Sequence, residues 1–192
     1  MKDARNLIIA LPNDNLRKRS KKVGLVSSDI KEIIKLMKLS TLDWEDNRKH
    51  EVGVALAAIQ IDKPYKIVVI RENFNDKSNR KFSVFINPQI TKYDGKIVED
   101  YEGCLSIRDV YGRVPRYERV KIKALDENGQ PFRMTAKGFM ARVLQHEIDH
   151  INGKLFIDLI KDNPGAFYML DNEGQLKELD YEKDIKKPGI FW

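Results

Sequence analysis

The chain has 192 residues, one cysteine and three histidines, with 42% hydrophobic and 33% charged residues and a formal net charge of +6. That length suits one domain with its own core, and a lone cysteine excludes an internal disulfide framework and fits a reducing compartment. No apolar run approaches the roughly 20 residues that a membrane span needs, so a cytoplasmic protein without membrane contact is expected.

Met1 to Asn6 is followed by a short apolar patch, Leu7 to Leu11, which is too brief for a signal peptide and ends at Pro12-Asn13-Asp14. Basic residues are densest at Arg17-Lys18-Arg19 and Lys21-Lys22. Mild basicity is compatible with work near RNA or the ribosome, although a solvated lysine-rich face is the simpler explanation.

Ser27-Ser28-Asp29 offers N-cap chemistry before Ile30, Ile33, Ile34, Met37, Thr41 and Trp44, a stripe that predicts an amphipathic helix from about 29 to 46. A polar loop from Glu45 to Glu51 leads into Gly53-Val54-Ala55-Leu56-Ala57-Ala58-Ile59-Gln60. Lys66 to Ile70 and Phe82 to Ile86 are β-branched runs that predict strands, the second closed by Asn87-Pro88. Val120 to Leu125 alternates, and Asn128-Gly129 before Phe132-Arg133-Met134 is a hairpin signal. A helix over about 138 to 151 follows, with Phe139, Met140, Val143, Leu144, Ile148 and Ile151 on its buried side and Gly153 as its stop. Asn163-Pro164-Gly165 breaks the chain, and Asn172-Glu173-Gly174 predicts a small terminal hairpin. The expected architecture is α+β: mixed or antiparallel sheets packed around a central metal-binding helix. The expected division is a catalytic domain over 1–162 and a C-terminal extension of unknown role over 163–192.

That last helix carries the strongest chemical signal. It reads His146-Glu147-Ile148-Asp149-His150 and holds two of the three histidines. Residues four apart on a helix share a face, so both imidazoles can reach one metal ion while Glu147 handles the protons of a water. A catalytic site of this kind usually takes a third protein ligand and leaves a position open. Extending the motif brings a glycine, Gly153, but then Phe156, which cannot ligate; Glu173, Glu178 and Glu182 lie in a turn-rich tail without a supporting helix. Both peptidase arrangements fit poorly. Cys104 remains: its thiolate is a strong ligand, Gly103 gives backbone freedom beside it, and polar Glu102 and Ser106 are odd neighbours for a core strand.

Glu102-Gly103-Cys104-Leu105-Ser106 together with Gln145-His146-Glu147-Ile148-Asp149-His150 resembles the peptide deformylase family. A third family pattern, Gly-apolar-Gly-apolar-Ala-Ala-x-Gln, corresponds to Gly53 through Gln60, and the Pro12 to Arg17 stretch is similar to the family's opening. The resemblance covers roughly residues 5 to 160. Ala55 stands at the second glycine of the pattern and Ile59 where the family usually has proline. A methyl group at 55 is expected to affect substrate fit more than chemistry.

The resemblance implies a hydrolase that removes the formyl group from the N-terminal formyl-methionine of nascent polypeptides, releasing formate. It implies Cys104, His146 and His150 as metal ligands and Glu147 as the base that later serves as acid. The Gln60 amide and the Leu105 backbone N–H are the implied oxyanion donors. Gly53, Val54 and Ala55 would run beside the peptide like an added strand, and Val54, Leu105 and Val143 would wall the methionine pocket. One thiolate and two imidazoles suit zinc by general preference; the resemblance implies Fe2+ as the native ion, with zinc as a substitute. A metallopeptidase and a non-catalytic protein with a structural metal are the rival readings, and the latter lacks a convincing fourth ligand.

Overall fold

The computed structural model describes residues 7–48 and 50–187. The Met1 to Asn6 reading therefore lies outside the described residues.

Helix α1 spans Ser28–Asp46, with the Ser27 hydroxyl accepting from the Ile30 N–H and Ile30, Ile34, Met37 and Thr41 buried along one stripe. After the loop comes β1 (Ala55–Ala57), which passes directly into a 3-10 turn, Ala58–Ile61. Strand β2 (Ile67–Arg71) pairs antiparallel with β1, and all five of its residues are buried. This burial has a simple cause. Val68 and Ile70 face one core cluster while Ile67 and Val69 face another, so the strand needs apolar side chains on both faces.

β3 (Phe82–Cys104) and β4 (Ile107–Leu125) form a long antiparallel hairpin, joined at Leu105-Ser106. Here the sequence expectation was too short: Asn87-Pro88 does not end the strand. The pairing shifts register between Ile86 and Gln89, Asn87 takes a positive φ of 53°, and its side chain bonds both the N–H and the carbonyl of Val23. A bulge accommodates the proline, and the strand resumes beyond it. β5 (Pro131–Lys137) returns along β4 after the Asp126–Gln130 turn, where Gly129 has φ +80°.

Helix α2 (Gly138–His150) packs against β1, β3, β4 and β5. Ala141, Val143, Leu144, Ile148 and Ile151 meet Ala55, Ala57, Val68, Ile70, Val120, Ile122 and Ala136 there. The opposite face of β1 and β2 is covered by Ile30, Ile34 and Met37 of α1. Each fully buried aliphatic side chain in these clusters contributes roughly 1.5–3 kcal/mol. The α+β expectation holds, and every pairing between the described strands is antiparallel.

After α3 (Phe156–Ile160), β6 (Phe167–Leu170) pairs with the start of β4, and β7 (Leu176–Glu178) pairs with β6. The hairpin expected at Asn172-Glu173-Gly174 is therefore present, with Gly174 at φ +78°. Ala166, Phe167 and Ile185 share a core cluster with Leu16, Ile107, Val114, Phe156 and Ile160, so residues beyond 163 are packed into the same body.

Candidate metal centre

Two distant segments meet at one point. Cys104, the last residue of β3, places its Sγ 3.2 Å from His150 Nε2. The ligand atoms of Cys104, His146 and His150 all lie within 4.8 Å of one another. The hairpin turn and the inward face of α2 converge here because Arg142, on the same helix face, donates to the carbonyls of Val98 and Val114 and so ties α2 to both long strands. Gln145 adds a second tie, bonding both the N–H and the carbonyl of Tyr117.

Glu102 organises the charge. It accepts from His146 Nδ1 at 3.0 Å, from Arg116 at 2.9 and 3.1 Å, and from Arg142 at 2.8 Å. Asp149 holds the other side of the Arg116 guanidinium. Burial alone would raise the Glu102 carboxyl, but hydrogen bonds from His146 and Arg116, with their charges, hold it at about 2. With that carboxylate ionised, Nδ1 of His146 carries the proton and Nε2 is left to ligate. Burial also acts on the imidazoles. It opposes charge on His146, yet contacts with Cys104 and Glu102 raise that group well above its usual value. His150 is pushed well below its usual value by burial and by the charge of His146, so it is a neutral imidazole.

Glu147 is 4% exposed, and burial raises its carboxyl to about 7. Its Oε2 and Nδ1 of His150 are buried without a hydrogen-bond partner among the described residues. A thiol sulfur, two imidazoles and an unpartnered buried carboxylate oxygen fit a divalent cation with a water beside it. Ser106 and the Ala58–Ile61 turn set the adjoining wall: Gln60 Oε1 accepts from the Ala57 N–H at 2.8 Å, and its amide donates to Ser106 Oγ at 3.1 Å and faces Cys104 Sγ at 3.6 Å.

A cavity of about 240 Å³ opens on this cluster. Val54, Ala55, Gln60, Cys104, Leu105, Val143, His146 and Glu147 line it, while His150 lies behind them, 1% exposed. Gly53 does not line it. It sits against α1, where a Cβ would lie 2.6 Å from the Thr41 carbonyl oxygen. The sequence reading missed Glu102, Arg116 and Arg142 as supports. Polar Glu102 beside Cys104 was the only local signal.

The family model for polypeptide deformylase matches residues 6–164. The chain belongs to the polypeptide deformylase family. It is 42% identical over 149 residues to a peptide deformylase of Blochmanniella floridana, an alignment covering 78% of this chain and 79% of that protein. Its fold is similar to a peptide deformylase from Legionella pneumophila, with a TM-score of 0.71, 39% identity and coverage of 81% and 85% of the two chains. A peptide deformylase from Acinetobacter baumannii, with Met-Ala-Ser bound, is similar at a TM-score of 0.71 and 30% identity over 83% of this chain and all of that one (100%). The activity of this deformylase is removal of the formyl group from the N-terminus of newly made polypeptides. Among the described residues, no helix is long and apolar enough to cross a membrane.

Proposed function

We propose that Cys104, His146 and His150 hold a ferrous ion and that Glu147 moves the protons of the deformylation. Supporting this is the convergence of those three donors beside a buried, unpartnered Glu147 oxygen. The donor set suits iron or zinc, and the family resemblance favours iron, with zinc as a substitute. An ion there supplies Lewis acidity, making a water acidic and polarising the formyl carbonyl.

The protein's own groups do the rest. Glu147 takes a proton from the attacking water and returns it to the departing amine nitrogen, a role matched by a carboxyl raised to about 7. The Gln60 amide, fixed by the Ala57 N–H, and the Leu105 backbone N–H donate to the oxygen that gains charge. Glu102 fixes the tautomer of His146. Val54, Leu105 and Val143 form an apolar wall for the methionine side chain, while Val54 and Ala55 lie alongside the peptide backbone. The Acinetobacter relative's Met-Ala-Ser complex supports a cleft of this kind for a methionine-led peptide. The substrate, a new polypeptide, makes the cytoplasm near the ribosome the expected place of action.

The test is formate release from formyl-Met-Ala-Ser by anaerobically purified protein, with metal analysis of the same sample. Iron at one equivalent and activity that decays in air, through oxidation beside the thiolate, are expected. Cleavage of unformylated peptides, or retention of the ion by Cys104→Ala after dialysis, would overturn the assignment.

A further inference from the structure

The β6–β7 hairpin lies beyond the residues matched by the family model, yet it packs against Tyr101, a residue that lines the cleft. Besides the Cys104 cluster, Ala55 and Val54, the cleft is lined by Trp44, Glu51, Tyr101 and Tyr111. Tyr111 lies over Gly103, where a Cβ would come within 2.6 Å of its ring. Gly103 therefore provides room for an aromatic wall next to the ligand cysteine.

The hairpin packs behind this wall at two points. In the register of the sheet, Tyr168 of β6 stands opposite Tyr111, and its ring packs edge-on against Tyr101 with centroids 5.0 Å apart. At its turn, Gly174 fills the space beside His50, whose Cγ lies 3.1 Å from where a Cβ would project. His50 precedes Glu51, which accepts from the Tyr111 hydroxyl at 2.9 Å and from Arg48 at 3.1 Å. Arg48 also reaches Asp109 at 2.8 Å, so the loop before β1 is strapped to the start of β4. The hairpin backs this strap from one side and the tyrosine wall from the other.

We propose that the β6–β7 hairpin fixes the Tyr101, Tyr111 and Glu51 wall of the cleft and thereby strengthens binding of the peptide beyond its first residue. The proposal rests on the reading that the peptide runs from the metal cluster along Ala55 and Val54 toward Glu51. Tyr168 is then a positioning residue: it touches Tyr101, and Tyr101 faces the cleft. Losing an edge-on aromatic pair changes an affinity by about threefold or somewhat more.

The experiment compares formyl-Met-Ala-Ser with formyl-Met-Ala, reading KM and kcat separately. Tyr168→Ala is expected to raise KM about threefold more for the longer peptide than for the shorter, with kcat moving little. Tyr168→Phe keeps the ring and restores the parent preference. His50→Ala, which removes the ring at the turn, reproduces the same selective change. A second arm reads the path itself: Val54→Ala should weaken both peptides. If Val54→Ala weakens both while Tyr168→Ala and His50→Ala leave the preference for length unchanged, the hairpin's role is overturned. If Val54→Ala weakens neither, the assumed path is wrong and the proposal falls with it.

Discussion

Glu102 accepts a hydrogen bond from Nδ1 of His146 across 3.0 Å, although the two residues are 44 positions apart. The same carboxylate binds Arg116 and Arg142, so it links β3, β4 and α2 at the point where the metal donors meet. Removing its charge frees the imidazole to rotate and leaves two guanidiniums without their shared partner. Glu102→Gln is expected to weaken metal retention by about 10–100-fold, measured by competition with a chelator at fixed pH. Unchanged metal affinity would show that His146 is oriented by packing alone.

Among the described residues Glu147 Oε2 has no hydrogen-bond partner, so its loss should spare the fold. Replacing a positioned general base costs about 10²–10⁴ in rate. Glu147→Ala is therefore expected to keep its metal and its thermal midpoint while formate release falls by a factor in that range. Near-normal turnover in a metal-loaded variant would remove Glu147 from the proton path.

Ala55 is 7% exposed, lines the cavity and pairs with Ile70 in the sheet. Its methyl group occupies space that a glycine would leave to the peptide backbone. Ala55→Gly should lower KM for formyl-Met-Ala-Ser, at a cost of about 0.5–1 kcal/mol in stability from the freer chain. Parallel kinetics and thermal melts check both halves. A lowered melting temperature with no change in KM would mean that the methyl group never meets the substrate.

The parts of the site that were legible in the sequence are those whose spacing is local. His146 and His150 fall on one helix face, and Glu102 to Ser106 is a run of five residues. The α1 stripe was readable for the same reason. What escaped depends on contacts between distant segments. Arg116 and Arg142 look like ordinary surface cations until the sheet and helix bury them around one carboxylate. Pro88 reads as a strand end, because only the Val23 backbone, 64 positions from Asn87, makes the bulge worthwhile. Gly103 suggested backbone freedom, whereas the structure uses it as a platform for Tyr111.

Arg71 and Glu45 supply the last test. Their side chains are 0% and 2% exposed, and the Glu45 carboxylate accepts from both the Arg71 guanidinium and the Gly53 N–H, the latter at 3.0 Å. Arg71 also donates to the carbonyls of Lys77 and Asn79 at 2.9 Å. The pair thus hangs the start of the Gly53–Ala55 segment on α1 and holds the 77–79 loop behind it. Breaking one half strands a buried charge, so Arg71→Met should destabilise the protein by about 3–5 kcal/mol. Exchanging both for apolar residues of similar volume, Glu45→Leu with Arg71→Met, should recover most of that loss, because desolvation offsets much of a buried pair's attraction. The double variant still lacks the acceptor for Gly53. It should therefore melt near the parent temperature yet bind formyl-Met-Ala-Ser with a raised KM and little change in kcat. Equal KM values in a well-folded double variant would confine the pair to stability and leave Gly53 held by its contact with Thr41.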